Sequence, residues 1–91
     1  MKLSKRQIDN LNEVTTFLMI NYAEEKVMKR KIPSKKQVIR DMEKNCFDFI
    51  SLSSRLLCYS SETIIAYHNT MMMIVNELVD DAIMFIEAEQ Q

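Results

Sequence analysis

The 91-residue sequence predicts an all-α protein, a three-helix antiparallel bundle running up-down-up. Three observations carry that expectation. The chain has no Gly, so tight hairpins and Gly-rich phosphate loops lack the residue that reaches positive φ without strain. Apolar residues recur at spacings of three and four along three separate segments. Each segment follows a serine able to cap a helix, and the single proline, Pro33, stands between the first two. P-loops and dinucleotide folds are excluded on these grounds, and hairpin-rich β architectures are disfavoured.

The first helix is predicted over residues 4–30. Ser4-Lys5-Arg6-Gln7 reads as a capping box, with Leu3 and Ile8 at the positions of a hydrophobic staple. The apolar stripe runs Ile8, Leu11, Val14, Leu18, Tyr22, and Phe17 and Ile20 are expected to widen the buried face. Pro33 closes this segment, because the residue before a proline disfavours helical backbone.

Ser34-Lys35-Lys36-Gln37 is a second capping box and starts a helix over 35–57. Its stripe is Val38 or Ile39, Met42, Cys46, Phe49, Ile50, Leu56 and Leu57. Asn45 is a candidate kink, and Ser51, Ser53 and Ser54 weaken the helix locally. Tyr59-Ser60-Ser61-Glu62 forms the next boundary, with Glu62 suited to the positive end of a helix dipole.

The third helix is predicted over 61–88. Ile64, His68, Met71, Val75, Leu78, Ala82 and Phe85 alternate spacings of four and three, and Ile65, Met72, Val79, Ile83 and Ile86 flank that seam. The apolar arc covers about half of the circumference, so this helix needs two neighbours. Segments of matched length joined by short links favour antiparallel packing. Residues 1–91 are expected to form one helical domain with a modest core, and self-association through the third helix would help to cover it.

Charge is divided along the chain. Residues 1–44 carry eleven Lys and Arg against six acids, a balance of +5, and residues 45–91 carry only Arg55 against seven acids, a balance of −6. The basic run comprises Lys26, Lys29, Arg30, Lys31, Lys35, Lys36 and Arg40. In an up-down-up bundle this run meets the end of the third helix, so Glu77, Asp80, Asp81, Glu87 and Glu89 are expected to neutralise it from within. A nucleic-acid surface is the second reading of the run, and contact with an acidic protein the third.

Few residues carry recognisable chemistry. His68, the only histidine, is expected to be a hydrogen-bonded core residue, since no nucleophile and orienting acid flank it at helical spacing. Cys46 and Cys58 sit ~18 Å apart on one helix and cannot bridge, so two reduced thiols and a cytoplasmic location are expected. No CxxC or HxxxH spacing supports a metal site, and no cofactor is expected. The opening residues run into an amphipathic pattern without the plan of a secretory leader, and no apolar run approaches the ~20 residues of a membrane span.

Two short stretches resemble known families. Residues 75–83, with Glu77 and Asp80 at i and i+3, resemble the second acidic motif of the all-α nucleotide pyrophosphohydrolases, the MazG-like family. That resemblance implies Mg²⁺-dependent hydrolysis, with Glu24 or Glu25 supplying the earlier acidic pair; Met28 stands where that pair has its second acid. Residues 56–65 resemble the middle of a helix-turn-helix, which implies that residues 61–72 read DNA. Cys58 occupies the usual glycine position, and the implied recognition helix carries no Lys or Arg to attract phosphate.

The methionines are more suggestive. There are eight, and Met73 and Met84 fall on the polar side of the third helix, with Ile74 and Tyr67 at the edge of its apolar arc. Exposed Met adapts to varied partners. The sequence therefore leads to a small non-enzymatic intracellular protein that binds another protein through Met73, Met84, Ile74 and Tyr67, as a homodimer. Its Gly-free, Lys-, Ile-, Asn- and Met-rich composition suits a regulator or inhibitor from a phage or mobile element.

Overall fold

Ser4, Ser34 and Ser60 start the three helices. In the computed structural model, which describes residues 1–91, α1 spans Lys5–Met28, α2 spans Lys35–Leu57 and α3 spans Ser61–Glu89, with no strand. Each serine holds extended backbone, with φ of −70 to −72° and ψ of 159 to 162°. Its hydroxyl accepts from the N–H three residues on, which satisfies one donor that a helix start leaves unpaired. At Ser4 the box is reciprocal, since Gln7 Oε1 accepts from the Ser4 N–H at 2.8 Å. The second box is only half formed. Gln37 donates instead to Asp41 Oδ1 at 2.7 Å, because an ionised acceptor makes the stronger bond.

The links between helices use positive φ after all. At the end of α1, Arg30 N–H bonds to the Val27 carbonyl and Lys31 N–H to the Lys26 carbonyl, the paired bonds of a Schellman ending. That ending holds Arg30 at φ 55° and stops the helix at Met28, two residues short of the sequence expectation. Cys58 closes α2 at φ 55° and ψ 49°. A side chain bearing a β carbon costs about 1–2 kcal/mol at such a position, so each link carries strain that a glycine would remove. Asn45 introduces no break, and α2 runs unbroken to Leu57.

The core forms around α3, which packs along both other helices, whereas α1 and α2 approach each other sparsely. Met71, Val75 and Val79 of α3 meet Val38, Met42, Cys46 and Ile50 of α2 and Leu11, Met19 and Tyr22 of α1. At 1.5 Å per residue the 29 residues of α3 extend about 43 Å. The long dimension of the molecule is 44 Å, so α3 runs its full length. Gln7 Nε2 donates to the Tyr67 hydroxyl at 3.0 Å, joining the first turn of α1 to the second turn of α3. Gln90 Nε2 donates to the Lys31 carbonyl at 2.8 Å, joining the far end of α3 to the link after α1. No helix is long and apolar enough to cross a membrane.

Several stripe residues fall outside this core. Phe17 and Ile20 are 62% and 49% exposed, not part of the buried face. The face of α1 that meets the core is centred on Leu11, Thr15, Met19 and Tyr22, and Phe17 stands about 200° round the helix from Thr15. Leu56 and Leu57 are exposed in the last turn of α2, where Cys58 redirects the chain and no helix covers them.

Two buried groups make direct tests. The Thr15 hydroxyl is fully enclosed without a hydrogen-bond partner. Thr15→Val keeps the shape and removes the orphaned group, so a rise in stability of about 1–2 kcal/mol is expected in urea unfolding. A loss of stability would show that the hydroxyl is satisfied in solution. Burial also pushes the Cys46 thiol up to about 11, while Cys58 is exposed. Iodoacetamide at pH 8 should therefore modify Cys58 in the folded protein and reach Cys46 only after denaturant is added, as intact mass will report.

Candidate functional site

The most distinctive surface feature is a groove between α1 and α3. Ala23 and Ala82 bring short side chains to its floor, and both are buried. Met19 and Ile20 of α1 and Leu78 and Phe85 of α3 stand on either side. Short residues beside long ones at i and i+3 or i+4 leave a furrow along the helix contact. Its volume is about 390 Å³ and its lining is almost entirely apolar. Ile20 and Phe85, at 49% and 43% exposed, form the accessible walls, and Phe17 lies three residues before Ile20.

Three polar residues complete the lining: Thr16, Glu24 and Asp81. Glu24 comes from the α1 side and Asp81 from the α3 side. Neither forms an ion pair, and no Lys or Arg lines the groove.

The residues singled out from sequence do not gather here. Met73 and Met84 are 65% and 68% exposed, but ten residues of helix separate them, with Glu77 and Asp80 between. They are separate apolar points on an acidic face. Ile74 is only 7% exposed and belongs to the core, because its position on α3 turns it toward α1. Tyr67 is partly buried; its hydroxyl is engaged by Gln7 and its ring stands edge-on to Tyr59 at 5.2 Å. It contributes to a smaller recess of about 220 Å³ with Val14, Phe49 and Leu57. Ile20 and Phe85 had an audible signal in the apolar stripes, but periodicity could not separate groove walls from core.

The basic segment is compensated differently from the expectation. Of the five α3 acids proposed as partners, only Asp80 makes an ion pair, with Lys35 at 3.4 Å. Exposed pairs of this kind are worth about 0–1 kcal/mol. Asp81, the next residue, lies about 100° further round α3 and turns to the groove instead. Asp41, an acid from the basic half of the chain, is the main internal partner. It accepts from the Tyr22 hydroxyl at 2.7 Å and from Gln37, and Lys26 Nζ stands 4.0 Å away. Lys26 also lies 5.2 Å from the centre of the Tyr22 ring. Lys29 pairs with Glu25 at 2.7 Å, which holds that carboxyl below its usual range. Arg30, Lys31, Lys36 and Arg40 form no ion pair.

The chemistry implied by the short resemblances is dispersed. Asp80 pairs with Lys35 and Glu25 with Lys29, while Glu24 lines the groove without an ion pair. No three His, Cys, Asp or Glu side chains stand close enough to hold a metal ion. In residues 61–72, Met71 is buried and Ile64, Tyr67 and Met72 pack against the core, which leaves little of that segment to enter a DNA groove. His68 lies edge-on to Phe47 with centroids 6.3 Å apart. Its Nε2 is buried without a partner, in place of the hydrogen-bonded core residue expected.

No protein-family description, no curated protein and no solved structure matches this chain.

The Tyr22–Asp41 bond carries a pH signature. Burial first, then the hydrogen bond to Asp41 and its negative charge, pushes the Tyr22 phenol well above its ordinary value of 10.0. A phenol whose folded value is raised contributes its full stabilisation below pH ~10 and loses it as the pH climbs further. Tyr22→Phe should cost about 1.5 kcal/mol at pH 7, as expected for a hydrogen bond to a charged group. In urea titrations the gap between the two proteins should shrink above pH ~10. A gap that stays constant into the alkaline range would show that the bond is not formed.

Proposed function

We propose that this protein is a non-enzymatic binding module that receives a segment of another protein in the groove between α1 and α3. The observation that carries the reading is the groove itself: a lengthwise apolar furrow whose walls, Ile20 and Phe85, are held open to solvent by buried alanines. Pockets that bind ligands combine an apolar lining with a few polar groups that fix orientation, and Glu24 and Asp81 supply those.

The surface area supports an uncovered face. A globular monomer of 10.8 kDa exposes roughly 5,500 Å² by the usual scaling. This chain exposes 6419 Å². The excess, about 900 Å², is close to the ~800 Å² that one partner contributes to a standard interface. The contacts at Gln7–Tyr67, Tyr22–Asp41 and Lys31–Gln90 support an up-down-up arrangement, in which α1 and α3 run side by side along the groove. A module of this kind acts by occupying its target, as a regulator or an inhibitor does.

A second reading rests on Arg30, Lys31, Lys36 and Arg40. Four cations without internal partners at one end of the rod suit a phosphate backbone. Self-association is a third, with a second copy lying against α3.

Site-directed photo-cross-linking separates these readings. A benzophenone amino acid replaces Phe85, Met73 or Lys36, each exposed, and the protein is irradiated in an extract of its own source. The proposal predicts one protein adduct from position 85, weaker capture from 73, and none from 36. Adducts with nucleic acid from position 36 alone would move the basic end to first place. A homodimeric adduct from position 85 would make the partner a second copy.

A further inference from the structure

We infer that the segment received is an amphipathic helix of a different protein, with an apolar stripe flanked on both sides by Lys or Arg. This rests on the groove being the binding site proposed above. Its length fits a helix: Thr16 to Glu24 is about 12 Å along α1, some two turns, and the α3 wall from Leu78 to Phe85 is about 10 Å. A partner helix lays residues at i, i+3 or i+4 and i+7 into such a furrow. An extended strand gains its affinity from backbone bonds to a sheet edge, and this protein has no sheet.

The charge on the walls selects the flanks. Glu24 and Asp81 stand on opposite sides of an apolar lining, and neither has a cation within the molecule. A docked apolar stripe takes water from both carboxylates, and a carboxylate that loses water without gaining a cation opposes binding. A cation on each side of the stripe meets both requirements at once, and it also raises the rate of encounter.

The same charges disfavour a second copy. Two grooves related by a two-fold axis would bring Glu24 and Asp81 of each chain together with no cation between them. The rest of α3 offers no relief, for it carries Glu62, Glu77, Asp80, Asp81, Glu87 and Glu89 and no Lys or Arg. On α1, Lys26 and Lys29 are already engaged by Asp41 and Glu25.

Two synthetic helical peptides of about 14 residues, with the same Leu stripe and either Lys or Glu flanks, test the inference by fluorescence anisotropy. The Lys peptide is expected to bind the wild type at least about tenfold more tightly than the Glu peptide, and added salt should narrow the gap. Glu24→Gln with Asp81→Asn should bring the two peptides together. Ile20→Ser with Phe85→Ser changes exposed walls only; it should abolish binding of both peptides while the helical circular dichroism persists. Equal binding of the two peptides, lost on removing the walls, would keep the groove and overturn the cationic flanks. A Lys preference that survives the charge-neutral variant would overturn them too. Binding of neither peptide, or binding that survives loss of the walls, would remove the groove as the site. A dimer by light scattering that dissociates in the Ile20→Ser, Phe85→Ser variant would put a second copy there instead.

Discussion

The structure depends on one constraint: α3 is apolar around about half of its circumference, and a single neighbouring helix cannot cover that arc. Met71, Val75, Val79 and Ile86 are buried because α1 and α2 close on α3 from two sides. The cost is borne by the contact between α1 and α2, which is sparse. Fourteen large apolar side chains are exposed, as many as the fourteen apolar residues that are buried. A core of that size holds three helices together, but it leaves α1 and α2 each with a flank that no element of this chain covers. The α1–α3 groove is one such flank. It owes its depth to Ala23 and Ala82, which let the two helices approach closely while Ile20 and Phe85 diverge.

Polar contacts then fix which helix ends lie together. Apolar packing alone permits more than one register, since Val, Ile and Met substitute for each other in a helix contact at small cost. The Tyr22–Asp41 bond, the Lys26 ammonium over the Tyr22 ring and the Lys35–Asp80 pair act at one end, and the Gln7–Tyr67 bond acts near the other. The partly buried members of this set contribute more than the exposed pairs, because water screens them less. The end that carries the basic run is thus held together by Asp41, from within that half of the chain, and by Asp80 of α3, while Arg30, Lys31, Lys36 and Arg40 are left facing solvent.

Much of this architecture was legible in the sequence. The capping serines announced three helix starts, and Val38, Met42, Cys46 and Ile50 with Met71, Val75 and Ala82 announced buried positions, because caps and periodicity are local properties. Val79 and Ile86, expected only to flank the α3 seam, are fully buried. What could not be read depends on where neighbours stand. Phe17, Ile20 and Phe85 satisfy the helical period, yet they lie on the side that no third neighbour covers. Ile74 sits at the margin of the apolar arc and is buried only because α1 packs against that margin. Asp41 could not be identified as the partner of Tyr22, since that pairing needs the register of α1 against α2. Arg30 gave no sign of positive φ either, and Cys58 gave one only in standing where a helix-turn-helix has glycine; both side chains carry a β carbon that disfavours the left-handed region they occupy.

The composition of the groove bears on what kind of work it can support. Catalysis by side chains requires a nucleophile or acid held by a base and an orienting group within hydrogen-bond reach. Apart from Thr16, the polar side chains of this groove are the carboxylates Glu24 and Asp81, and no His, Cys or Lys stands with them. The two enclosed polar atoms without partners, on Thr15 and His68, do not line it. An apolar furrow with charges only at its margins is suited to the proposed helix. Its floor supplies area, and its margins discriminate among helices by the sign of their flanks. That discrimination costs the free protein little, because both carboxylates stay hydrated until a partner arrives. It becomes large only when docking removes the water, which is when the wrong flank must be refused.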